Sequence, residues 1–376
     1  MSIKFMVYTT PWSCIWGLHR GSTKLRLPAI VAIHLSLLAA APAMGSSPTV
    51  HKPKPKVLAL HGYVQLRYTN VNSHASTFGI RFLKAQLTWH PVRSLKIYSQ
   101  LAYLYGTHNV DDNRVWLEDM WAQHRLLAGT VKFGQLKPSF GLENMQPATT
   151  LLTMDRAAVS TDLAPNGGFS HSFGRDIGAQ YQQGRPADGQ FTLGLFAGTG
   201  SGSEAPMRAT GLVTLHGIKQ WELHSAKLQL GLSAAFRHDE NVNFSKALPS
   251  TSILNTSHFH GSDQRYNAEM LATSGNWRLQ SEVAYAMFTR GSGIRNIEAY
   301  GAYAELACRP SRCFEMVLKA ETYDPDTRIA VRETLHDYTF GVNIHLPGFR
   351  HKLMLDYVLK SGASSNVIQV QYQHTY

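Results

Sequence analysis

Beyond residue 43 the chain has no apolar run near the roughly 18 residues that mark a membrane-spanning helix, and its mean hydropathy is slightly polar. A helical membrane protein is therefore excluded. Charged residues are also sparse at 16%, whereas aromatic residues make up 10%. Few charges and many aromatics are typical of strands with a single apolar face, as in a transmembrane β-barrel.

Cysteine is almost absent, with three in the chain. Cys14 lies in an N-terminal region that we expect to be removed, and Cys308 and Cys313 bracket Arg-Pro-Ser-Arg. In an oxidising compartment this pair is expected to form a disulfide across a tight turn. Two thiols without nearby His or Cys partners make half a zinc site at best, so we predict no metal and no cofactor there.

The N-terminal region has the three parts of a secretory signal. Two basic residues precede an apolar run over residues 27–40, and a small-x-small cleavage site follows at residues 41–43. We predict that residues 1–43 are a cleaved signal peptide and that residues 44–56 form a short periplasmic extension. The alternative is a single membrane-anchoring helix, for which the run is short.

The C-terminal strand shows the clearest alternation. Ile368, Val370 and Tyr372 alternate with Gln369 and Gln371, and the chain ends on an aromatic residue. Because successive strand residues face opposite sides, the apolar row would contact lipid and the glutamine row a wet lumen. This pattern favours an outer-membrane β-barrel.

Sixteen segments of residues 57–376 share this alternation and are separated by turn signals. The sequence therefore predicts an all-β fold, a 16-stranded antiparallel transmembrane β-barrel. The predicted strands span 57–69, 78–90, 95–106, 114–125, 128–137, 174–183, 189–199, 207–217, 226–238, 264–275, 277–290, 297–308, 313–323, 335–346, 350–362 and 366–376.

Connection lengths give a second signal. The even-numbered connections are mostly short, whereas the odd-numbered ones include long stretches at 138–173, 239–263 and 324–334. Short turns at one rim and long loops at the other are typical of a barrel inserted from the periplasm. A soluble sandwich would not show this difference.

Basic residues at the polar positions of the strands are candidates for a pore lining. Taken together they would attract anions, because a low-dielectric wall focuses their field. Each one alone is also explained as a solvated charge without a role. The candidates are Arg67, Lys84, Lys96, Lys132, Arg278, Lys319, Lys352 and Lys360.

Residues 138–173 form the longest stretch without a strand pattern. Loops of this length are uncommon unless they have a function, and this one is rich in apolar residues. We predict that it folds inward and narrows the lumen as a constriction loop, with a surface loop as the alternative. Its candidate residues are Phe140, Glu143, Asp155 and Arg156. At its base, Asp176 is expected to face the lumen and Arg175 to hold the loop.

Three stretches resemble the phosphate-selective porin O/P family: residues 134–143, residues 155–156 and the Gly-Arg-Asp-Ile-Gly run at 174–178. The resemblance extends over the whole mature chain. It implies a homotrimeric outer-membrane porin whose third external loop folds into the lumen, where basic side chains select phosphate. Here Ser139 separates Pro138 from Phe-Gly, and Arg156 is the only Lys or Arg of residues 138–173. We therefore expect a weak preference for small anions without a tight phosphate site, because phosphate binding uses several charge-assisted donors.

Other functional classes are disfavoured. No Gly-x-Ser-x-Gly elbow is present, and Ser172 merely follows His171, so we predict that the protein is not an enzyme. A weak candidate for a metal site is the group of His238, Asp239, His258, His260 and Asp263. The basic residues are scattered, which disfavours nucleic acid as a partner and leaves outer-membrane lipid, lipopolysaccharide and small anions. A structural or adhesive barrel with a closed lumen remains the alternative function, and the 18 histidines raise the possibility of pH-dependent permeation near pH 6.

Overall fold

The structure is a computed structural model. It describes residues 58–72, 76–105, 115–166, 174–198, 211–243, 258–290, 296–328, 334–346, 350–361 and 366–376. The predicted signal peptide and periplasmic extension lie outside these ranges, as do residues 167–173 of the predicted constriction loop. Within the described ranges, no helix is long and apolar enough to cross a membrane.

The described residues form sixteen strands, in agreement with the predicted number. Their bounds lie within a few residues of the predicted ones except at both ends of β8, at the end of β9 and at the start of β10. They are β1 (Ala59–Val71), β2 (Thr77–Val92), β3 (Leu95–Tyr105), β4 (Val115–Leu126), β5 (Gly129–Leu136), β6 (Asp176–Gln183), β7 (Gln190–Phe196), β8 (Leu212–Leu223), β9 (Ala226–Asn243), β10 (His258–Ser274), β11 (Trp277–Thr289), β12 (Ile297–Cys308), β13 (Phe314–Asp324), β14 (Leu335–His345), β15 (His351–Ser361) and β16 (Val367–Thr375). Between β5 and β6 lie α1 (Leu142–Met145), a 3₁₀ turn (Ala148–Thr150) and α2 (Ala158–Asp162).

Each strand pairs antiparallel with its neighbours, and β1 pairs with β16, so the sheet closes into a barrel. The seam runs from the Tyr63–Thr375 pair to the Val71–Val367 pair. Closure removes both sheet edges, which a membrane requires because lipid cannot satisfy free backbone groups. The predicted closed antiparallel barrel is confirmed.

Gly62 lets the terminal aromatic residue complete this seam. The backbones of Gly62 and Tyr376 exchange two hydrogen bonds, and the Tyr376 hydroxyl donates to the Lys84 carbonyl at 3.1 Å. A Cβ at Gly62 would lie 2.3 Å from the Tyr376 ring. Only glycine therefore leaves room for the ring to lie across β1 and reach β2.

The two faces of the sheet differ as the alternation predicts. In β16, Ile368 is 37% exposed whereas Gln371 is 2% exposed. In β13, Leu318 is 52% exposed and the adjacent Lys319 is 5% exposed. In a closed barrel the buried face is the interior, so the polar side chains that alternate with the exposed apolar ones form what we call the interior row.

A β-bulge in β4 interrupts this alternation. Gln100 of β3 pairs with Asp119 and the next residue, Leu101, pairs with Leu117, which leaves Glu118 as the extra residue. A bulge redirects a side chain locally. As a result the consecutive carboxylates of Glu118 and Asp119 are both buried, each 8% exposed.

The connections confirm the predicted difference between the rims. The links after β2, β4, β8 and β10 have two residues each, and the other even-numbered links remain short. The odd-numbered links include the long intervals 137–175 and 244–257. The longest of these intervals joins β5 to β6.

Candidate permeation site

The described part of the long connection, residues 138–166, is held by carboxylates of the interior row. We call it the β5–β6 segment. Glu282 on β11 accepts the backbone N–H groups of Leu142 and Glu143 at 2.9 and 2.7 Å. Asp356 on β15 accepts the N–H of Met154 at 2.7 Å. These bonds satisfy backbone donors that would otherwise be buried without partners.

Basic and amide side chains of the interior row bind the carbonyl groups of the same segment. Lys352 donates to the Leu151 carbonyl at 2.8 Å, and Lys319 donates to the Asp155 carbonyl at 2.9 Å. Both lysines were predicted to line the pore. They do lie on the interior row, but their ammonium groups are used to hold the segment.

Apolar side chains complete the attachment. Val159 and Leu163 are at most 2% exposed and belong to a cluster with wall residues of β10 to β13. Phe140 belongs to a second cluster that includes Phe196 and Leu212. Burying an aliphatic side chain of this size stabilises a fold by about 1.5–3 kcal/mol. The segment is therefore a packed part of the barrel.

Cations and carboxylates converge where this segment meets β1 and β2. Arg67 donates to Asp155 at 2.7 Å, and the Nη2 atom of Arg81 lies 3.9 Å from the same Asp155 oxygen. Burial alone would raise the pKa of the Asp155 carboxyl, but the charges of Arg67 and Arg81 lower it below its usual range. The Asp155 side chain is nevertheless 47% exposed, so it contacts water.

Two further cations nearby bind carbonyl oxygens. Arg156 donates to the carbonyls of Glu143 and Gln146 at 3.0 and 2.6 Å, and Lys137 donates to the carbonyl of Asn144 at 2.7 Å. Burial and then the charges of Arg175 and Arg156 lower the pKa of Lys137 well below its ordinary value. Burial is the larger cause, and the two nearby guanidinium groups act in the same direction.

The bulge residues of β4 pair with two more cations. Glu118 lies 2.6 Å from Lys84 and 2.7 Å from Arg175, and Arg175 also contacts Asp119 at 3.1 Å. The sequence analysis did not select Glu118 or Asp119, because the alternation places only one of two adjacent residues on the interior row. We define the cation cluster as Arg67, Arg81, Lys84, Lys137, Arg156 and Arg175. Its acidic members are Glu118, Asp119, Asp155 and Glu143, whose charge acts on Arg156.

Comparison with known proteins identifies the family. A family model described as phosphate-selective porin O and P matches residues 62–372, which is most of the chain. The chain belongs to the phosphate-selective porin O and P family. The resemblance seen in the sequence is thereby confirmed, and this porin is a passive channel of the bacterial outer membrane, not an enzyme. A search of curated proteins gave no match.

Solved outer-membrane porins share the fold of this porin at low sequence identity. The trimer form of OmpT of Vibrio cholerae is 11% identical with a TM-score of 0.62, covering 85% of this chain and 99% of that one. The anion-selective porin from Comamonas acidovorans is 15% identical with a TM-score of 0.57 and the same coverage. OmpF of Salmonella typhi, in complex with daunomycin, is 9% identical with a TM-score of 0.58, covering 85% of this chain and 97% of that one.

Two adjacent residues lie at the base of the segment of this porin, and both have structural partners. Asp176 is fully buried and accepts hydrogen bonds from the Asn166 side chain at 3.0 Å and from the Gly198 N–H at 2.9 Å. Asp176 therefore holds the end of the segment. Arg175 reaches β4, where it pairs with Glu118 and Asp119 in the cation cluster. Asp176 alternates with the exposed Ile177 and therefore lies on the interior row, where Asn166 covers it.

The remaining predicted basic residues also lie on the interior row. Lys96 and Lys132 contact the Trp121 ring, with their Nζ atoms 5.3 and 4.9 Å from its centroid. Arg278 donates to Gln280 at 2.8 Å, and Lys360 lies 3.6 Å from Asp337 near the long-loop rim.

A buried Ser-His-Glu chain supports the start of the segment. The Ser139 hydroxyl lies 2.8 Å from His216 Nδ1, and His216 Nε2 lies 3.2 Å from Glu269. The order resembles a hydrolase triad, but all three residues are at most 5% exposed, so no substrate reaches the hydroxyl. Ser139, the residue that departs from the usual family pattern, thus links the segment to β8 and β10.

The structure also bears on the predicted cysteine pair and on the metal candidate. Cys308 and Cys313 lie at either side of the β12–β13 turn and are free thiols in this structure, so the predicted disulfide is not formed in it. Among the described residues, no group of three or more His, Cys, Asp or Glu side chains is arranged to hold a metal. The side chains of Asp239 and His258 lie outside that description.

Proposed function

We propose that this porin conducts small hydrophilic solutes through a lumen that the β5–β6 segment narrows, and that it prefers small anions there. The observation that carries the proposal is the cation cluster, in which six basic side chains accompany four carboxylates. An excess of positive charge in a water-filled, low-dielectric channel raises the local concentration of anions. The anion-selective porin from Comamonas acidovorans, which has the same fold, is consistent with this proposal.

The hydrogen bonds of the cluster favour a weak preference over a tight phosphate site. Arg67 donates to Asp155, Gln371 and the Met154 carbonyl, and Arg156 donates to two carbonyls. Phosphate binding requires several free charge-assisted donors. Because these donors already have partners, the cluster acts mainly through its electric field.

Reversal potentials in planar bilayers under a potassium chloride gradient test this proposal. We expect the sign that indicates chloride preference, and Arg156→Gln should reduce that preference. Arg185→Gln is the matched control, because the Arg185 side chain is 87% exposed in the β6–β7 turn. Cation preference would contradict the anion proposal. Absence of conductance from folded protein would instead favour a structural or adhesive barrel with a closed lumen.

We further propose a homotrimer in the outer membrane, exported by a signal at residues 1–43 that is cleaved. The trimer form of OmpT supports the assembly by analogy of fold. The exposed apolar side chains opposite the interior row suit contact with lipid and lipopolysaccharide. Crosslinking in detergent tests the trimer, and N-terminal sequencing of protein from outer membranes tests the cleavage position.

A further inference from the structure

Two lysines and two aromatic rings form a compact group on the interior row near the short-turn rim. Lys96 of β3 and Lys132 of β5 both pair in register with Gln123 of β4. Their ammonium groups lie 5.3 and 4.9 Å from the centroid of the Trp121 ring. Tyr98 stacks on Trp121 with ring centroids 4.9 Å apart and planes 24° apart. We call these four side chains the lysine–aromatic platform.

The positive charges of the platform are balanced only in part, by the charge of Asp119 that acts on Lys132. Lys96 and Lys132 contact aromatic rings, and neither forms an ion pair within the described ranges. Asp119, on the same stretch of β4, is paired with Arg175 at 3.1 Å. Two ammonium groups beside one ring repel each other, and an anion between them would relieve that repulsion.

The rings of the platform are fixed in place. Trp121 packs against the apolar cluster that contains Leu136 and Phe140, at the start of the β5–β6 segment. The Tyr98 hydroxyl donates to Gln100 at 2.9 Å. Both rings and both lysines remain partly exposed. The platform therefore presents ordered aromatic surface and positive charge on the face of the sheet that lines the lumen.

We infer that the lysine–aromatic platform binds organic anions with a flat apolar body, such as aromatic carboxylates, in preference to aliphatic anions of the same charge. A carboxylate accepts charge-assisted hydrogen bonds from the two ammonium groups. The planar body packs against the stacked rings in offset or edge-on geometry. This inference rests on the proposed function, because the anion must enter the lumen to reach the platform.

Benzoate and acetate distinguish this site from a general attraction of anions. Each carries one carboxylate, so only the ring differs. The chloride current of the purified full-length porin is measured in planar bilayers with either anion added. We expect benzoate to reduce this current at a concentration roughly fivefold lower than acetate, because one aromatic contact provides about that much additional affinity. Cyclohexanecarboxylate, which is apolar but not planar, should resemble acetate more than benzoate.

Substitutions assign the difference to the platform. Trp121→Leu and Tyr98→Leu should each raise the concentration of benzoate that reduces the chloride current until it is close to that of acetate. The double variant Lys96→Gln with Lys132→Gln should weaken the block by both anions. Trp277→Leu is the matched control, because Trp277 is on the outer face and 53% exposed. If Trp121→Leu does not fold, as judged by heat-modifiable gel migration, Tyr98→Leu and the lysine variant still decide the question.

The reversal potential of each protein separates the two proposals. A channel that prefers potassium over chloride would overturn the proposed function. An anion-preferring channel whose chloride current is reduced by benzoate and acetate at equal concentrations would overturn the platform inference alone. An aromatic preference that survives Trp121→Leu or Tyr98→Leu in folded protein would also overturn it, since the ring contact would then lie elsewhere.

Discussion

Replacing Asp155 with Asn is expected to make the porin more selective for anions. Asp155 is the acidic member of the cation cluster that contacts both Arg67 and Arg81, and its side chain is 47% exposed. Its lowered pKa keeps the carboxyl ionised from neutral pH down to about pH 4. The substitution therefore removes one full negative charge over that range of pH and changes the side-chain volume little.

The size of the effect follows from the position of the charge. A permeating ion that passes about 4 Å from the carboxylate interacts with it by about 1 kcal/mol in a water-like medium. Removing that interaction favours chloride and disfavours potassium by about the same amount, which is roughly a 30-fold change in their permeability ratio. Screening, with a Debye length of about 10 Å at 0.1 M salt, reduces this to at most roughly tenfold.

Reversal potentials at pH 5 and pH 7.5 provide the assay, and the shift toward chloride should be equal at the two values. Asp188→Asn serves as the control, because Asp188 lies in the β6–β7 turn with a 72% exposed side chain. An unchanged or lower chloride preference would refute the reasoning, as would an equal shift in the control. Heat-modifiable gel migration shows whether the barrel remains folded without the ion pair to Arg67.

Three other changes test how the segment is held. Glu282→Gln places an amide donor against the N–H groups of Leu142 and Glu143, so it should destabilise this attachment by about 3 kcal/mol and increase the noise of the open-channel current. Unchanged current noise and an unchanged melting temperature would contradict that role of Glu282. A Cβ at Gly301 would lie 2.8 Å from Val159, so Gly301→Leu should displace α2 and raise single-channel conductance, whereas Gly217→Leu, which has open space, should not. Burial raises the pKa of Asp162 from 3.8 to about 6. Ionisation of this carboxyl therefore costs folding free energy that is absent below pH 3.8, grows as the pH rises, and is complete above about pH 6. Asp162→Asn should therefore raise the melting temperature more at pH 8 than at pH 4, and an equal gain at both would argue against this account.

The barrel could be predicted from the sequence because its rules are local. Alternation with a period of two places Leu318 outside and Lys319 inside without any knowledge of neighbouring strands. Turn residues mark the strand ends in the same way, and the predicted bounds of β12 match those of the structure. The bulge at Glu118 is an exception, because one extra residue changes the face of the next side chain and leaves no clear signal in the alternation.

The candidate site depends on distant pairs that the alternation does not contain. The contact between Met154 and Asp356 joins residues 202 positions apart, and the contact between Lys352 and Leu151 joins residues 201 apart. The strand pattern correctly placed Lys319 and Lys352 on the interior row, but it could not show that the segment occupies their ammonium groups. A basic residue on the inner face of a barrel therefore attracts solute only where the inward neighbours leave it exposed. Lys96 and Lys132, with aromatic rings as their partners, meet that condition better than the lysines that hold the segment.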